Sequence, residues 1–220
     1  DSVGTLKLDG SETVTQSMMD PNSGTVFYDG TGTYASGLVA GDAYYNLTIN
    51  GTGGSWTLDA ALDVNGLMTI VAGTLVANNL AINVAGGWSQ AAGTFTPGTA
   101  TVTFDGAGTL TKTTGAFNDV TFSSGTVTLG GALDVDDDVT VTTGVLDVSA
   151  TNYAISVGGD WTDAGAGTFT EQGGTVTFDG STAGGTITTD DNFENLVIND
   201  TGNTITLGAA LDVDSQMVLT

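Results

Sequence analysis

The chain has 220 residues, 25 of them acidic against two lysines, with no arginine or histidine, no cysteine and a formal net charge of −23. That charge makes contact with nucleic-acid phosphates or insertion into an anionic bilayer strongly unfavourable. Zero cysteine excludes a disulfide frame and thiolate metal sites, and no stretch approaches the ~18 continuous apolar residues of a membrane helix. Hydrophobic residues reach 40%, and 40 threonines supply a branched side chain that packs well on a pleated surface, so the expectation is a folded, mostly β chain.

In chain order, residues 1–24 read as the tail of a repeat whose head is missing. Gly4-Thr5-Leu6 matches Gly73-Thr74-Leu75, and Met18 to Gly24 is a turn-rich link. Thr25–Gly30 (Thr-Val-Phe-Tyr-Asp-Gly) opens a unit over 25–100. Thr101–Gly106 (Thr-Val-Thr-Phe-Asp-Gly) opens a second over 101–174, and the same six letters at Thr175–Gly180 open a partial third over 175–220. The start-to-start spacings are 76 and 74 residues.

The words between the hexads keep their order. An aromatic-led strand follows at Tyr45–Ile49, Phe117–Phe122 and Phe193–Ile198, then a Thr-Leu-x-x-Ala-Leu-Asp-Val block at Thr57–Val64, Thr128–Val135 and Thr206–Val213. Two copies continue through Gly73-Thr74-Leu75 or Gly144-Val145-Leu146, then Ala81–Val84 or Ala154–Val157. They close with Trp88 or Trp161 and with Gly-Thr-Phe-Thr at Gly93–Thr96 or Gly167–Thr170. A fixed order at a fixed long period is the signature of a repeat architecture.

Within a unit, apolar and polar residues alternate with period two, as in Val102/Phe104, Val127/Leu129 and Ile155/Val157, and Gly or Asp-Gly breaks the runs every six to nine residues. Leu58 to Leu80 contains Ala-Ala-Leu and could pass for a helix. Its counterpart carries Gly130-Gly131, and glycine costs roughly 1 kcal/mol in a helix interior, so the reading is strand. Sandwich, propeller and solenoid remain. A propeller blade repeats at ~40–50 residues and a sandwich has no reason to repeat near 75. The expected fold is therefore all-β, a single right-handed parallel β-helix (β-solenoid) over 1–220, each unit giving about three coils of about 25 residues.

The run Thr-Val-Thr-Phe-Asp-Gly … Phe-x-Asn-Leu-x-Ile … Ala-Leu-Asp-Val … Ala-Ile-x-Val-Gly-Gly-x-Trp … Gly-Thr-Phe-Thr resembles repeats of very large bacterial surface and secreted proteins, the adhesin-like or filamentous-haemagglutinin-like β-helices. The resemblance implies stalks, coats and fibres outside the cell. It implies no catalytic residue, and fold alone gives no activity.

A polysaccharide lyase needs a cation or metal beside its base, and only Lys7 and Lys112 are cationic, so the expectation is no enzyme, no catalytic residues and no bound cofactor. Asp134-Val135-Asp136-Asp137-Asp138, read as a strand, puts Asp134, Asp136 and Asp138 on one side. Calcium is the better functional reading of that cluster and of Asp190-Asp191-Asn192, with a solvated acidic rim as the alternative. Thr-x-Thr pairs such as Thr101/Thr103 and Thr126/Thr128 are expected on different faces, against a flat ice-binding lattice. Tyr44, Tyr45, Trp56 and Trp88 could line a sugar groove, though a Trp at matching positions reads first as core. Exposed strand edges at both ends point to head-to-tail self-association into an extracellular filament. The rival readings are a stalk segment of a large adhesin and a carbohydrate-binding module for surface glycans.

Overall fold

Short runs that alternate apolar and polar residues can bury one side only by pairing edge to edge and closing on themselves. The computed structural model describes residues 4–14, 22–163, 165–180, 184–199 and 204–220, and in it those runs form parallel-paired strands with no helix. They wind into a β-solenoid of about 10 turns, each about 20 residues long. At ~4.8 Å per turn the rod is roughly 45 Å long. Leu58 to Leu80 is strand and turn, as the glycine argument required.

Each turn visits three faces in one order. In the middle of the rod these are Gly87–Gln90 on the first face, Thr94–Thr96 on the second and Thr101–Phe104 on the third. The first face stacks Thr5–Leu8, Thr25–Tyr28, the leading parts of the long strands Asn46–Thr57 and Leu67–Val76, Gly87–Gln90, Gly108–Lys112, Thr126–Leu129, Val145–Asp147 and Thr168–Thr170. The second face begins with Thr33–Tyr34, the far ends of the two long strands and Thr94–Thr96. It resumes, after a bridge from Phe117 to Val135, as Leu133–Val135, Ile155–Val157, Thr175–Phe178, Phe193–Ile198 and Val213–Leu219. The third face is one nine-stranded sheet from Ala43–Tyr44 to Thr206–Leu207. Gly73, at φ +80, turns the long strand Leu67–Val76 from the first face onto the second, a conformation that L side chains rarely adopt.

The turn is shorter than the expected 25 residues, and this changes how the repeat sits on the rod. From Thr101 on the third face, the chain returns to that face at Asp119, Val139 and Trp161, then crosses the first at Thr168 and reaches Thr175 on the second. One unit is thus three turns and two faces. From Thr25 the same advance leads to Thr101. The three hexads therefore open on the first, third and second faces in turn, and every face has to accommodate the same words.

Inward residues stack in ranks. Leu47, Met68, Trp88 and Leu110 lie in register down the first face, and Val120, Val139, Trp161 and Ile187 down the third, all buried. Each repeated Trp sits edge-on to two phenylalanines. Trp88 meets Phe95 at 4.9 Å and Phe117 at 5.2 Å, and Trp161 meets Phe169 at 4.8 Å and Phe193 at 5.3 Å between ring centroids. Such edge-to-face contacts add to the stabilisation from burial. The two triads are one packing unit built twice on different faces.

Backbones of successive turns come close where glycines stack. A Cβ on Gly108 would stand 1.5 Å from the carbonyl oxygen of Gly86, whereas one on Gly131 would meet nothing closer than 3.8 Å. Gly108→Ala is expected to lower the denaturation midpoint by the equivalent of ~1–3 kcal/mol or more. Gly131→Ala should stay within ~0.5 kcal/mol of the parent in the same urea titration.

Candidate functional site

The aromatic residues considered for a sugar groove are mostly core. Tyr44, Trp56 and Trp88 are fully buried, and only Tyr45 reaches the surface, at 37% exposure. Tyr44, rather than Tyr45, is the structural counterpart of Phe117 and Phe193: it pairs with Val64 as they pair with Val135 and Val213. The Thr-x-Thr pairs do lie on different faces, Thr126/Thr128 on the first, Thr175/Thr177 on the second and Thr101/Thr103 on the third. A rank that the sequence reading missed runs down the third face, where Thr103, Thr121, Thr140, Thr162 and Thr188 lie in register. They come from different words of the repeat, so only the 20-residue turn brings them together.

The acidic run does not form one strand. The strand ends at Val135, Asp136 and Asp137 bend, and Asp137 and Asp138 converge with Asp119 of the preceding turn, carboxylate oxygens within 4.8 Å. Asp138 therefore leaves the side of Asp134 and Asp136, which both act on Lys112, and turns to Asp119. Much of this acidity is taken up by the backbone. Asp119 Oδ1 accepts from the N–H of Asp138 at 3.3 Å, Asp138 Oδ1 from that of Asp160 at 2.7 Å, and Asp160 Oδ1 from that of Thr186 at 2.7 Å. Each carboxylate clips the next turn to its own, one after another along the corner ahead of the third face. Burial, then crowding by Asp160 and Asp119, pushes Asp138 above the usual carboxylate range despite the opposing hydrogen bond, and Asp137 rises for similar reasons. The trio offers the hard oxygen ligands that calcium takes. Asp190 and Asp191 also serve backbone groups, accepting from the N–H of Gly165 and of Phe169.

Two inward ranks turn polar at matching places. On the first face Tyr28, Ile49 and Ile70 lead to Gln90 and Lys112, and on the third Val84, Phe104, Phe122 and Val141 lead to Asp163 and Thr189. All four polar residues are buried. Gln90 Nε2 donates to the carbonyls of Gly93 and Thr114 at 2.9 and 3.2 Å, and Lys112 Nζ donates to the Thr114 carbonyl at 2.6 Å while lying 5.2 Å over the Phe117 ring. Burial depresses the Lys112 ammonium to about 8, against a smaller upward pull from Asp134 and Asp136.

The two extremities of the described rod differ. Toward the N-terminal side Trp56 stacks on Tyr34 at 5.3 Å and donates its indole N–H to the carbonyl of Asp9, and Tyr28 and Tyr44 join hydroxyls at 3.1 Å. Toward the C-terminal side the last turn leaves an apolar hollow of about 340 Å³, walled by Ile198, Ile205, Leu207, Leu211, Met217 and Leu219. Leu207, Met217 and Leu219 are 53, 48 and 72% exposed, although equivalent ranks elsewhere are buried. Among the described residues Val213–Leu219 pairs on one side alone, with Phe193–Ile198. This open face is the candidate functional site, built by the same inward-facing residues that fill the core higher up.

No protein-family model matches the chain, and neither a curated protein nor a solved structure matches it.

Two outcomes test the polar arrangements. Asp138→Ala removes a charge-assisted clip and should cost ~1.5–3 kcal/mol in a chemical denaturation series, while Asp138→Asn, which keeps an acceptor, should cost less. Because Lys112 has a lowered pKa in the folded chain, the unfolded chain binds more protons between about pH 8 and 10.5. Stability should therefore rise with pH across that window, and Lys112→Met should flatten the rise in thermal midpoints.

Proposed function

We propose that this protein is a structural segment of an extracellular filament or surface fibre, in which copies stack end to end so that the last turn of one is continued by the first turn of the next. The observation that carries the reading is the open apolar turn at Leu207, Met217 and Leu219. Apolar hollows of this kind are unfavourable in water, and an unpaired strand edge is a template for further pairing. All strands in the rod run parallel, so a second copy can present Thr5–Leu8 to Val213–Leu219 with the strand direction preserved. The two extremities carry different residues, which makes the contact heterologous, and a heterologous contact that does not close gives an open filament.

The resemblance of the repeat words to adhesin-like bacterial surface proteins supports an extracellular structural role. So does the use of interior space: ranks of side chains fill it, and the corner carboxylates of Asp119, Asp138 and Asp160 serve the backbone. Neither pattern calls for a substrate, and the reading is non-enzymatic. The net charge of −23 keeps rods apart side by side while the end contact remains apolar.

Purified chain examined by electron microscopy and light scattering over a concentration series should grow unbranched rods, with a meridional reflection at ~4.8 Å in fibre diffraction. Leu207→Asp with Leu219→Asp should leave folded monomers. Wild-type monomers at all concentrations, or growth indifferent to the double variant, would contradict the proposal. The first of these would favour a stalk in which the same polypeptide supplies the covering turn.

A further inference from the structure

Gln90 and Asp163 occupy one slot in successive repeats, each two residues after the repeated Trp and each inside the rod. In the Gln90 slot the amide nitrogen is the donor, and what faces it accepts: the carbonyl of Gly93 at 2.9 Å, and the carbonyl and hydroxyl of Thr114 at 3.2 and 3.1 Å. In the later repeat Gly167 stands where Gly93 stood, and Asp191 stands where Thr114 stood, two residues after the ladder partner Thr189. Asp191 again presents an acceptor to the slot. An ionised carboxylate has no hydrogen to give it, whereas a carboxylic acid has one.

The surroundings agree. Asp163 is fully buried, and the one donor that pulls it down is the N–H of Phe169, which is bonded at hydrogen-bond distance to Asp191 and not to Asp163. Its ladder neighbours Val141 and Thr189 bring no charge, and the Trp161, Phe169 and Phe193 triad packs beside it. The charged groups that face it are both acidic, Asp191 and Asp190. Of the lysines, Lys112 is held one repeat earlier at Thr114 and Phe117, and Lys7 pairs with Asp29 in the first turns. Asp191 Oδ2 takes the N–H of Phe169 at 2.5 Å, so the carboxylate adjoining Asp163 is already used as an acceptor. Gly167 leaves the room: a Cβ there would stand 2.8 Å from Asp163 Oδ1.

We propose that Asp163 is a buried carboxylic acid sharing one proton with the Asp191 carboxylate, and that losing this proton loosens the turn from Trp161 to Phe193 against its neighbours. The joint lies next to the open end, because Trp161 is in register with Ile187 and Ile187 with Leu207. It stands independently of the filament reading. Burial first, then the adjoining Asp191, raises Asp163 from the ordinary 3.8 to about 7. The folded chain therefore binds more protons than the unfolded one between about pH 4 and 7. This contribution to stability is present at the acidic end, falls as pH rises through the window and is gone above it.

The test compares thermal midpoints of wild type and Asp163→Asn from about pH 5 to about pH 8, with hydrogen exchange reporting the amides of 161–193. The asparagine can donate as Gln90 does, so its midpoint relative to wild type should climb steadily with pH, and wild-type protection factors over 161–193, corrected for the intrinsic rate at each pH, should fall while those of 46–104 do not. A pH-independent difference, or a variant less stable than wild type at about pH 8, overturns the proposal. So does a wild-type midpoint at about pH 8 that calcium chloride raises while leaving the variant unmoved, since the slot would then hold a cation. Should the variant fail to fold, infrared spectroscopy of the wild type decides. A protonated carboxylic acid band persisting at about pH 6, when exposed acids are ionised, supports the shared proton, and its absence refutes it.

Discussion

In a parallel ladder each inward side chain rests on the side chain one turn away, at ~4.8 Å, and nothing else can occupy that space. This stacking in register is what the rest of the molecule answers to. Apolar ranks satisfy it by burial, as from Leu47 through Met68 and Trp88 to Leu110. Aromatic residues satisfy it by meeting edge to face. Where a rank turns polar it does so for two successive turns, Gln90 then Lys112 and Asp163 then Thr189. At the corners the same demand falls on the backbone, and Asp119, Asp138 and Asp160 hand their carboxylates to the N–H groups of the following turns.

The repeat and the turn do not share a period, and this shapes what the surface can do. Because one unit spans three turns and two faces, each word moves to another face when it recurs. Trp88 is on the first face and Trp161 on the third, yet their aromatic surroundings agree within a few tenths of an ångström. Three faces able to host one set of words must be nearly alike in width and depth. Outward chemistry that recurs in the sequence is thereby spread around the rod rather than gathered on one side. The two ends of the described rod nonetheless differ: Trp56 is buried under Tyr34 at one, and Leu207 and Leu219 are exposed at the other.

The fold class was legible because period-two alternation and an ordered 75-residue repeat leave few architectures, and the buried repeated tryptophans followed from their matching positions. The turn length was not legible. The hexads mark the unit and not the coil, so dividing the unit into three whole coils overstated each one. Tyr44 and Tyr45 could not be told apart without the pairing that puts Tyr44 against Val64. The acidic run reads as one strand because Asp alternates with Val up to Asp136, and nothing in the sequence marks the bend that brings Asp137 and Asp138 to Asp119. Inward polar residues such as Gln90 and Asp163 have no local signal. The only hint was a polar residue two places after each repeated Trp, where alternation asks for an apolar one.

The absence of native cysteine makes engineered pairs a clean probe of which residues are neighbours, since a disulfide requires Cα atoms about 4.4–6.8 Å apart. Thr121 and Thr140 belong to different words yet lie in register on the third face, while Thr103 and Thr177 hold the same place in the hexad yet lie on different faces. Under mild oxidation the Thr121→Cys/Thr140→Cys variant should crosslink within the chain and the Thr103→Cys/Thr177→Cys variant should not. The reverse pattern would mean that equal words stack on one another, and the winding described here would be wrong.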